Sequence, residues 1–375
     1  MSTSQHRRRF LQGTAASAIL LAAGACGSGS ASPTTSPSPS PSPPPTPTTR
    51  SWKMGFSPVP PQPTVASVLQ GIDLWSQRAE LAIIHEQLPW ADLLTGMTPA
   101  AILQRDKVEL VNLFRSKGLS LAFMLDLTDG LDRTAEAPAL LAAGRSLAEP
   151  PIQELARDYA LAVESMLAPE QLGLAAETNL VRSAASAQTY AALRDAANFM
   201  EAALANAGAT SQRFISVQAE QAWGGIGSPG NFTGIAQDLT DFAFTQAIGI
   251  SSYPYFSWGN PEDIPADYYS RIKGASTLPV LVTEGGWTSA SFSGSSIQSS
   301  PEEQARYFAK HAQLLDSVSA TAYFQLLFAD LDVSSIPAPV PSNLPLFAEL
   351  GLTDTSYAAK PALAAWDALF ARPLA

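Results

Sequence analysis

The chain has 375 residues and is acidic, with 22 Lys and Arg against 33 Asp and Glu and a formal charge of −11. A balance this acidic, with no basic cluster in the folded part, excludes a nucleic-acid binder, which needs Lys and Arg against phosphates. A single cysteine excludes a disulfide framework, so the fold must rest on its apolar core.

The first 50 residues do not read as folded. Arg7-Arg8-Arg9-Phe10-Leu11-Gln12 is a basic start of the twin-arginine pattern. Ala15 to Ala25 is an apolar run too short to stay as a membrane span. The run ends Leu21-Ala-Ala-Gly-Ala-Cys26, which resembles a bacterial lipobox with Ala23 where leucine is usual. Residues 1–25 are therefore expected to be an export signal. Lipidation of Cys26 would then hold the protein on the outer face of the cell membrane. Cleavage at Ala23-Gly-Ala25 alone would instead leave Cys26 unmodified and the protein secreted. Removing the three signal arginines, with no acid beside them, takes the charge to −14. Residues 26–49 are nearly all Ser, Thr, Pro and Gly, a composition that stays extended and suits a tether.

From residue 50 to 375, strand-like and helix-like segments alternate. Lys53 to Ser57 predicts a first strand and Val65 to Ala79 a helix. A strand over Leu81 to Glu86 and a helix over Pro99 to Lys117 come next. Leu119 to Asp126 reads as the third strand. Pro150 to Leu167 is helical, with Ile152, Leu155, Tyr159, Val163 and Met166 on one stripe. The fourth strand runs up to Glu177, and Thr189 to Ala207 is the helix after it. Phe214 to Glu220 is the fifth strand and Gly234 to Phe242 a helix. Phe244 to Tyr253 is the sixth, with a helix over Pro265 to Ala275. Leu278 to Glu284 is the seventh, followed by an amphipathic helix over Pro301 to Val318. Ala320 to Phe328 is the eighth, and Pro361 to Phe370 closes the chain. The strands are near-continuous apolar runs, as parallel strands buried on both faces should be.

Eight such units predict the α/β class and a (β/α)8 TIM barrel. An open doubly wound sheet shares the alternation. It would usually carry a glycine-rich phosphate turn after its first strand, where this chain has Ser57-Pro-Val-Pro-Pro61. In a barrel the loops after the strands share one mouth. Glu86, Asp126, Glu177, Glu220, Glu284 and Asp330 all fall at strand ends and are expected to ring it. Trp90, Trp223, Tyr253, Tyr255, Phe256, Trp258, Trp287 and Phe328 lie in the same loops. Acids among flat apolar faces describe a sugar groove. Core packing is an equally ready account of any single one of these aromatics.

The folded part resembles the clan A glycoside hydrolases, retaining barrel enzymes with catalytic glutamates after strands four and seven. Within the clan it is most similar to family 53, the endo-β-1,4-galactanases. The likeness lies in Glu177-Thr-Asn179, Ile248-Gly-Ile-Ser-Ser-Tyr-Pro-Tyr-Phe256 and Val282-Thr-Glu284, with Gly351-Leu-Thr-Asp354 and Lys360-Pro-Ala-Leu-Ala-Ala-Trp366 as a shared ending. Two positions depart from the clan: Ala176 stands where asparagine usually precedes the acid/base, and Ile84-His85-Glu86 where an arginine is usual. The resemblance implies Glu284 as nucleophile, oriented by Tyr253, and Glu177 as general acid then base, its pKa raised by burial and by Glu284. It implies carboxyls about 5–5.5 Å apart. Glu220 is the rival for either role. Tyr253, Trp287, Glu86, His85, Asn179, Glu220, Trp223 and Trp258 are the candidate substrate contacts, with a satisfied buried histidine as the other reading of His85.

The expected partner is thus a β-linked polysaccharide or oligosaccharide, β-galactan among them, with no cofactor and no metal, and with a tethered monomer as the simplest assembly. The Asp330-Leu-Asp332 pair reads as a solvated loop rather than a calcium site. A second function from another class is a surface carbohydrate-binding protein on the same barrel, with catalysis lost along with the clan asparagine. A solute-binding lipoprotein would need two similar lobes rather than one eightfold alternation.

Overall fold

A computed structural model describes residues 49–225, 230–292 and 295–375. The expected export signal, Cys26 and the expected tether up to residue 48 lie outside the described residues. Eight parallel strands close into a barrel in chain order: β1 (Lys53–Phe56), β2 (Leu81–Gln87), β3 (Ser120–Asp126), β4 (Gln171–Ala175), β5 (Gln212–Gln218), β6 (Ala247–Ser252), β7 (Val280–Gly285) and β8 (Ala322–Gln325). β8 returns to β1 through Lys53↔Ala322 to Phe56↔Gln325. Helices form the outer ring, and the whole is a (β/α)8 barrel. Among the described residues no helix is long and apolar enough to cross a membrane.

Two apolar layers hold the barrel. Leu81, Ile83, Ala122, Met124, Phe214, Leu281 and Phe324 form a small cluster with Ala176, Ala247 and Ala322 inside the closed sheet. Their strand neighbours belong to a much larger cluster between sheet and helices, with Trp52, Trp75, Phe114, Tyr159 and Trp366 wholly or nearly buried in it. Each such side chain stabilises the fold by about 1.5–3 kcal/mol on leaving water. Gly173 makes room for the inner layer: a Cβ there would sit 2.5 Å from Met124 Sδ and 2.8 Å from the Phe214 ring.

The helix starts follow the sequence. Thr64 caps Val65–Trp75 by accepting from the Ser67 amide at 3.1 Å, and Ser300 caps Pro301–Ser317 by accepting from Glu303 at 3.2 Å. Pro150–Leu167 begins on two prolines and ends at Ala168 in the left-handed region.

Three expectations are corrected. The single helix predicted over 99–117 is two, Pro99–Asp106 and Val108–Ser116. They meet at Lys107, where φ is −126° and the ammonium turns inward to Glu86 Oε2 at 2.5 Å. Strand five stops at Gln218, and Glu220 lies in the short helix Ala219–Ala222. Strand eight spans only Ala322–Gln325, because the chain beyond it pairs with its own return: Ala329 bridges Thr353, and the Phe328 carbonyl accepts from Leu352 at 2.9 Å.

Candidate active site

At the carboxyl end of the strands, five charged side chains and one hydroxyl close into a ring. His85 at the end of β2 lies with Nδ1 3.0 Å from Glu284 Oε2 and Nε2 3.4 Å from Asp126 Oδ2. Asp126, the last residue of β3, accepts from Arg133 at 2.7 Å through both oxygens. Arg133 Nε donates to Glu177 Oε2 at 2.9 Å. Ser251 on β6 donates to Glu284 Oε1 at 2.8 Å and also lies within hydrogen-bonding reach of Glu177. The register explains part of this, since Ser251 pairs with Glu284 across β6 and β7. Inward alternation explains more: His85 continues the Leu81, Ile83 face of β2, and Asp126 the Ala122, Met124 face of β3.

Glu177 reaches the ring by a backbone twist. It follows β4 with φ 46° and ψ 47°, a left-handed conformation that costs a non-glycine residue roughly 1 kcal/mol or more. Its amide donates to Ser216 Oγ at 2.9 Å, which pins the turn. Ala176, immediately before it, faces into the barrel with the inner cluster. After Glu284 the glycines are required sterically. A Cβ at Gly285 would lie 2.3 Å from the Ser252 carbonyl oxygen, and one at Gly286 2.7 Å from Gln325 Nε2.

The ring separates the two glutamates electrically. Burial pushes the Glu177 carboxyl up; Arg133 opposes this, Glu284 reinforces it, and the net shift is upward. Burial also works against a charged Glu284, but the hydrogen bond and charge of His85, with Ser251 and Arg133 behind them, outweigh it and hold this carboxyl below its usual range. His85 is opposed by burial in the same way, yet its bonds to Asp126 and Glu284 raise it to about 9. Asp126 is lowered to about 2, because Arg133 and His85 overcome its own desolvation. Three carboxylates against two cations leave one negative charge, which a proton on Glu177 would cancel.

Two loops roof the ring. The loop after β3 supplies Arg133, and the long loop after β8 supplies Phe347, whose ring lies 5.0 Å from Tyr253 and 5.6 Å from Phe256. They meet where Asn343 Nδ2 donates to the Leu131 carbonyl at 3.1 Å. Beneath them Glu177 is 0 % exposed and Glu284 3 %. Three buried polar atoms here have no hydrogen-bond partner among the described residues: Glu177 Oε1, the Tyr253 hydroxyl and His85 Nε2, the last in ion-pair range of Asp126 at 3.4 Å. A depression of about 290 Å³ lined by Lys53, Leu81, Ser120, Glu170 and Gln212 lies at the opposite end of the strands, away from this chemistry.

The other predicted residues are not brought into the ring. Glu86 faces the helix layer, because it neighbours inward-facing His85 on one strand; its carboxylate is held by Lys107 and by the Tyr159 hydroxyl at 2.7 Å. Glu220 accepts from Gln218, from Tyr268 and from the Tyr253 amide at 3.0 Å, and burial pushes it up to about 7. Asn179 is spent on the backbone of Gln218, donating to its carbonyl at 2.9 Å and accepting from its amide at 2.7 Å. Tyr253 does not bond Glu284: it lies past the end of β6, turned against Phe347, and Ser251 makes that contact instead.

The aromatics likewise pack among themselves. Trp287 is fully buried against Tyr255 and Tyr307, with its indole nitrogen donating to Ser299 at 2.9 Å. Trp223 stacks on Tyr268 and donates to the Tyr268 carbonyl at 3.1 Å. Trp258 packs its edge on Trp223 and Tyr268 and is half-buried. Asp330 is paired with Lys360 at 2.7 Å in the base of the post-β8 loop. The residues that sequence reading missed are Arg133 and Ser251. Arg133 is the one cation in the stretch 127–137, among Asp129, Asp132 and Glu136. Ser251 lies inside the Ile248 to Phe256 segment, one of its two serines. Among the described residues no group of three or more His, Cys, Asp or Glu could hold a metal ion.

No protein-family model and no curated protein matches the chain. Solved structures do. GH5_18 from Streptomyces cattleya, in complex with GlcNAc, aligns with a TM-score of 0.61 and 17 % identity, over 86 % of this chain and 80 % of that one. The exo-β-1,4-mannosidase Op5Man5 from Opitutaceae bacterium strain TAV5 aligns at 0.60 and 16 % over 86 % of this chain, and β-glucuronidase 2 of Bacteroides uniformis at 0.56 and 13 %, also over 86 %. The likeness is one of fold. This chain spans 59 % of the mannosidase and 35 % of the glucuronidase.

Proposed function

We propose that the protein is a retaining glycoside hydrolase acting on a β-linked polysaccharide or oligosaccharide. One observation carries this reading: two buried glutamates at the ends of β4 and β7, near a single serine hydroxyl, have their pKa values displaced in opposite directions. That is the division of labour that glycosidic cleavage needs. Glu284, held ionised by His85 and Ser251, attacks the anomeric carbon and forms a glycosyl ester. Glu177, protonated, gives its proton to the departing oxygen, then takes one from the water that cleaves the ester. Arg133 positions Glu177, and Asp126 holds both Arg133 and His85 in place.

The similar structures support a β-linked sugar as substrate through the β-mannosidase, GH5_18 and β-glucuronidase activities they are named for. β-Galactan, to which the family 53 resemblance points, is the finer candidate. The N-terminal pattern supports export, with the tether lifting the barrel from a Cys26-anchored surface. Loss of palmitate labelling in Cys26→Ser is the result expected.

A second reading, a non-catalytic carbohydrate-binding protein, is favoured by one specific feature: Glu177 is wholly buried and ion-paired, with Ala176 beside it. A hydrolysis screen over β-galactan, β-mannan, β-glucan and xylan separates the two. Turnover with retained anomeric configuration, lost in Glu284→Gln, is expected of the hydrolase. Binding without turnover on every polymer would leave the second reading standing.

A further inference from the structure

We propose that the site accepts an uncharged β-glycoside and rejects sugars bearing a carboxylate, phosphate or sulfate on the unit that is cleaved. This rests on the glycosidase reading and narrows its substrate class. An anionic sugar needs a cation not already neutralised, and among the described residues the mouth of this barrel offers none: even His85 lies between Glu284 at 3.0 Å and Asp126 at 3.4 Å.

The inventory can be taken segment by segment from each strand end to the next helix of the outer ring. Residues 57–64, 88–98, 219–235, 253–267 and 286–300 contain no Lys or Arg at all. The remaining three segments contain Arg133, Arg145, Arg182 and Lys360. Each is already paired: Arg133 with Asp126 and Glu177, Arg145 with Glu149 at 2.8 Å, Arg182 with Asp238 at 2.9 Å, and Lys360 with Asp330 at 2.7 Å. Arg271, on the following helix, lies over the rings of Trp223 and Phe232. Asp129, Asp132, Glu136, Asp263 and Asp332 add negative charge at the same end.

The ring itself offers no net positive charge to an anion: it is neutral with Glu177 protonated and singly negative once Glu177 ionises. Turning Arg133 toward a substrate carboxylate would leave Asp126 and Glu177 buried without their counter-charge, which is the expensive way to bind an anion. What the site does hold open is neutral. Glu177 Oε1 and the Tyr253 hydroxyl are buried and unpartnered among the described residues; a protonated Glu177 carboxyl can donate or accept, and the phenol can do the same. Sugar hydroxyls and a glycosidic oxygen satisfy both without importing charge.

The test uses the purified full chain. The first arm compares kcat/KM for 4-nitrophenyl β-D-glucoside, β-D-galactoside and β-D-mannoside with that for the β-D-glucuronide. The second measures calorimetrically the binding of isofagomine and of its carboxylate analogue, so that charge preference is read without turnover. The uronide and the carboxylate analogue are expected to be weaker on the order of 50-fold, the factor that one like charge, here the ionised Glu284, costs at about 7 Å in an effective dielectric of about 20. A glucuronide hydrolysed as well as the best neutral glycoside overturns this inference and leaves the hydrolase reading intact. If no glycoside turns over but isofagomine binds in preference to its carboxylate, the hydrolase reading falls and the charge preference stands. If nothing is hydrolysed and neither compound binds, both fall.

Discussion

The β4 and β7 ends of the barrel carry the same side chain in opposite electrical states. At the β7 end Glu284 sits within the strand, just past a one-residue shift of register against β6, faces His85 and Ser251, and favours the ionised form. At the β4 end Glu177 sits on a left-handed turn, fully buried, with Glu284 nearby, and tends to hold its proton although Arg133 touches it. Residue type decides neither state. One cation more or less in the immediate surroundings, weighed against desolvation, decides both.

The sharpest break of this contrast is at Glu284. If Glu284 is the covalent nucleophile proposed above, Glu284→Gln should lower kcat/KM at least about 10⁴-fold, since such a group has no substitute, with an unchanged circular-dichroism spectrum as the control on folding. Glu177→Gln should cost less, about 10²- to 10⁴-fold, the usual worth of a general acid. That loss should shrink on a 4-nitrophenyl leaving group, which departs without a proton. Equal losses on every leaving group would remove Glu177 from the acid role.

Arg133→Met tests the tie between the two ends. It leaves Asp126 buried beside His85 alone, and breaking such a buried pair typically costs about 3–5 kcal/mol, readable by urea unfolding. On a Glu177→Gln background the cost should be smaller, because one stranded carboxylate is gone. Additivity of the two changes would show that Arg133 does not couple to Glu177.

His85→Asn removes the cation facing Glu284. The acid limb of the pH–rate profile should move to higher pH, since Glu284 then needs a higher pH to ionise. An unmoved limb would mean that His85 does not set the charge of Glu284.

The smallest effect is in the stability of the unmodified protein. His85, raised from 6.5 to about 9, contributes stability that is complete below pH 6.5 and lost as pH climbs toward 9. Glu220, raised from 4.5 to about 7, penalises the fold across that lower interval as pH rises. Asp126, lowered from 3.8 to about 2, contributes above pH 3.8 and is lost below it. Together these predict a thermal midpoint that is highest near pH 4–5 and declines through pH 9, with a shallower alkaline decline in His85→Asn.

The barrel was legible because parallel strands buried on both faces leave unbroken apolar runs, and eight of them with intervening helices admit few other closures. Strand ends were legible only where side-chain alternation could be followed. His85 and Glu86 are adjacent, so one had to face in and the other out, but the sequence does not say which. Pattern also misled for the aromatics: Trp223 and Trp287 are apolar enough to pack, and their indole nitrogens find Tyr268 and Ser299 rather than a ligand. Arg133 left no signal, since what brings it to Asp126 is the path of a loop, and loop paths follow from contacts distant in sequence.

The left-handed turn at Glu177 gives the position an evolutionary direction. Glycine or asparagine would take the same φ and ψ at lower cost, and neither would bury a carboxylate. Folding alone therefore favours drift away from glutamate here. In lineages where chemistry is still under selection the residue should be retained against that drift, and in lineages where the barrel has turned to another use it should be among the first positions to relax.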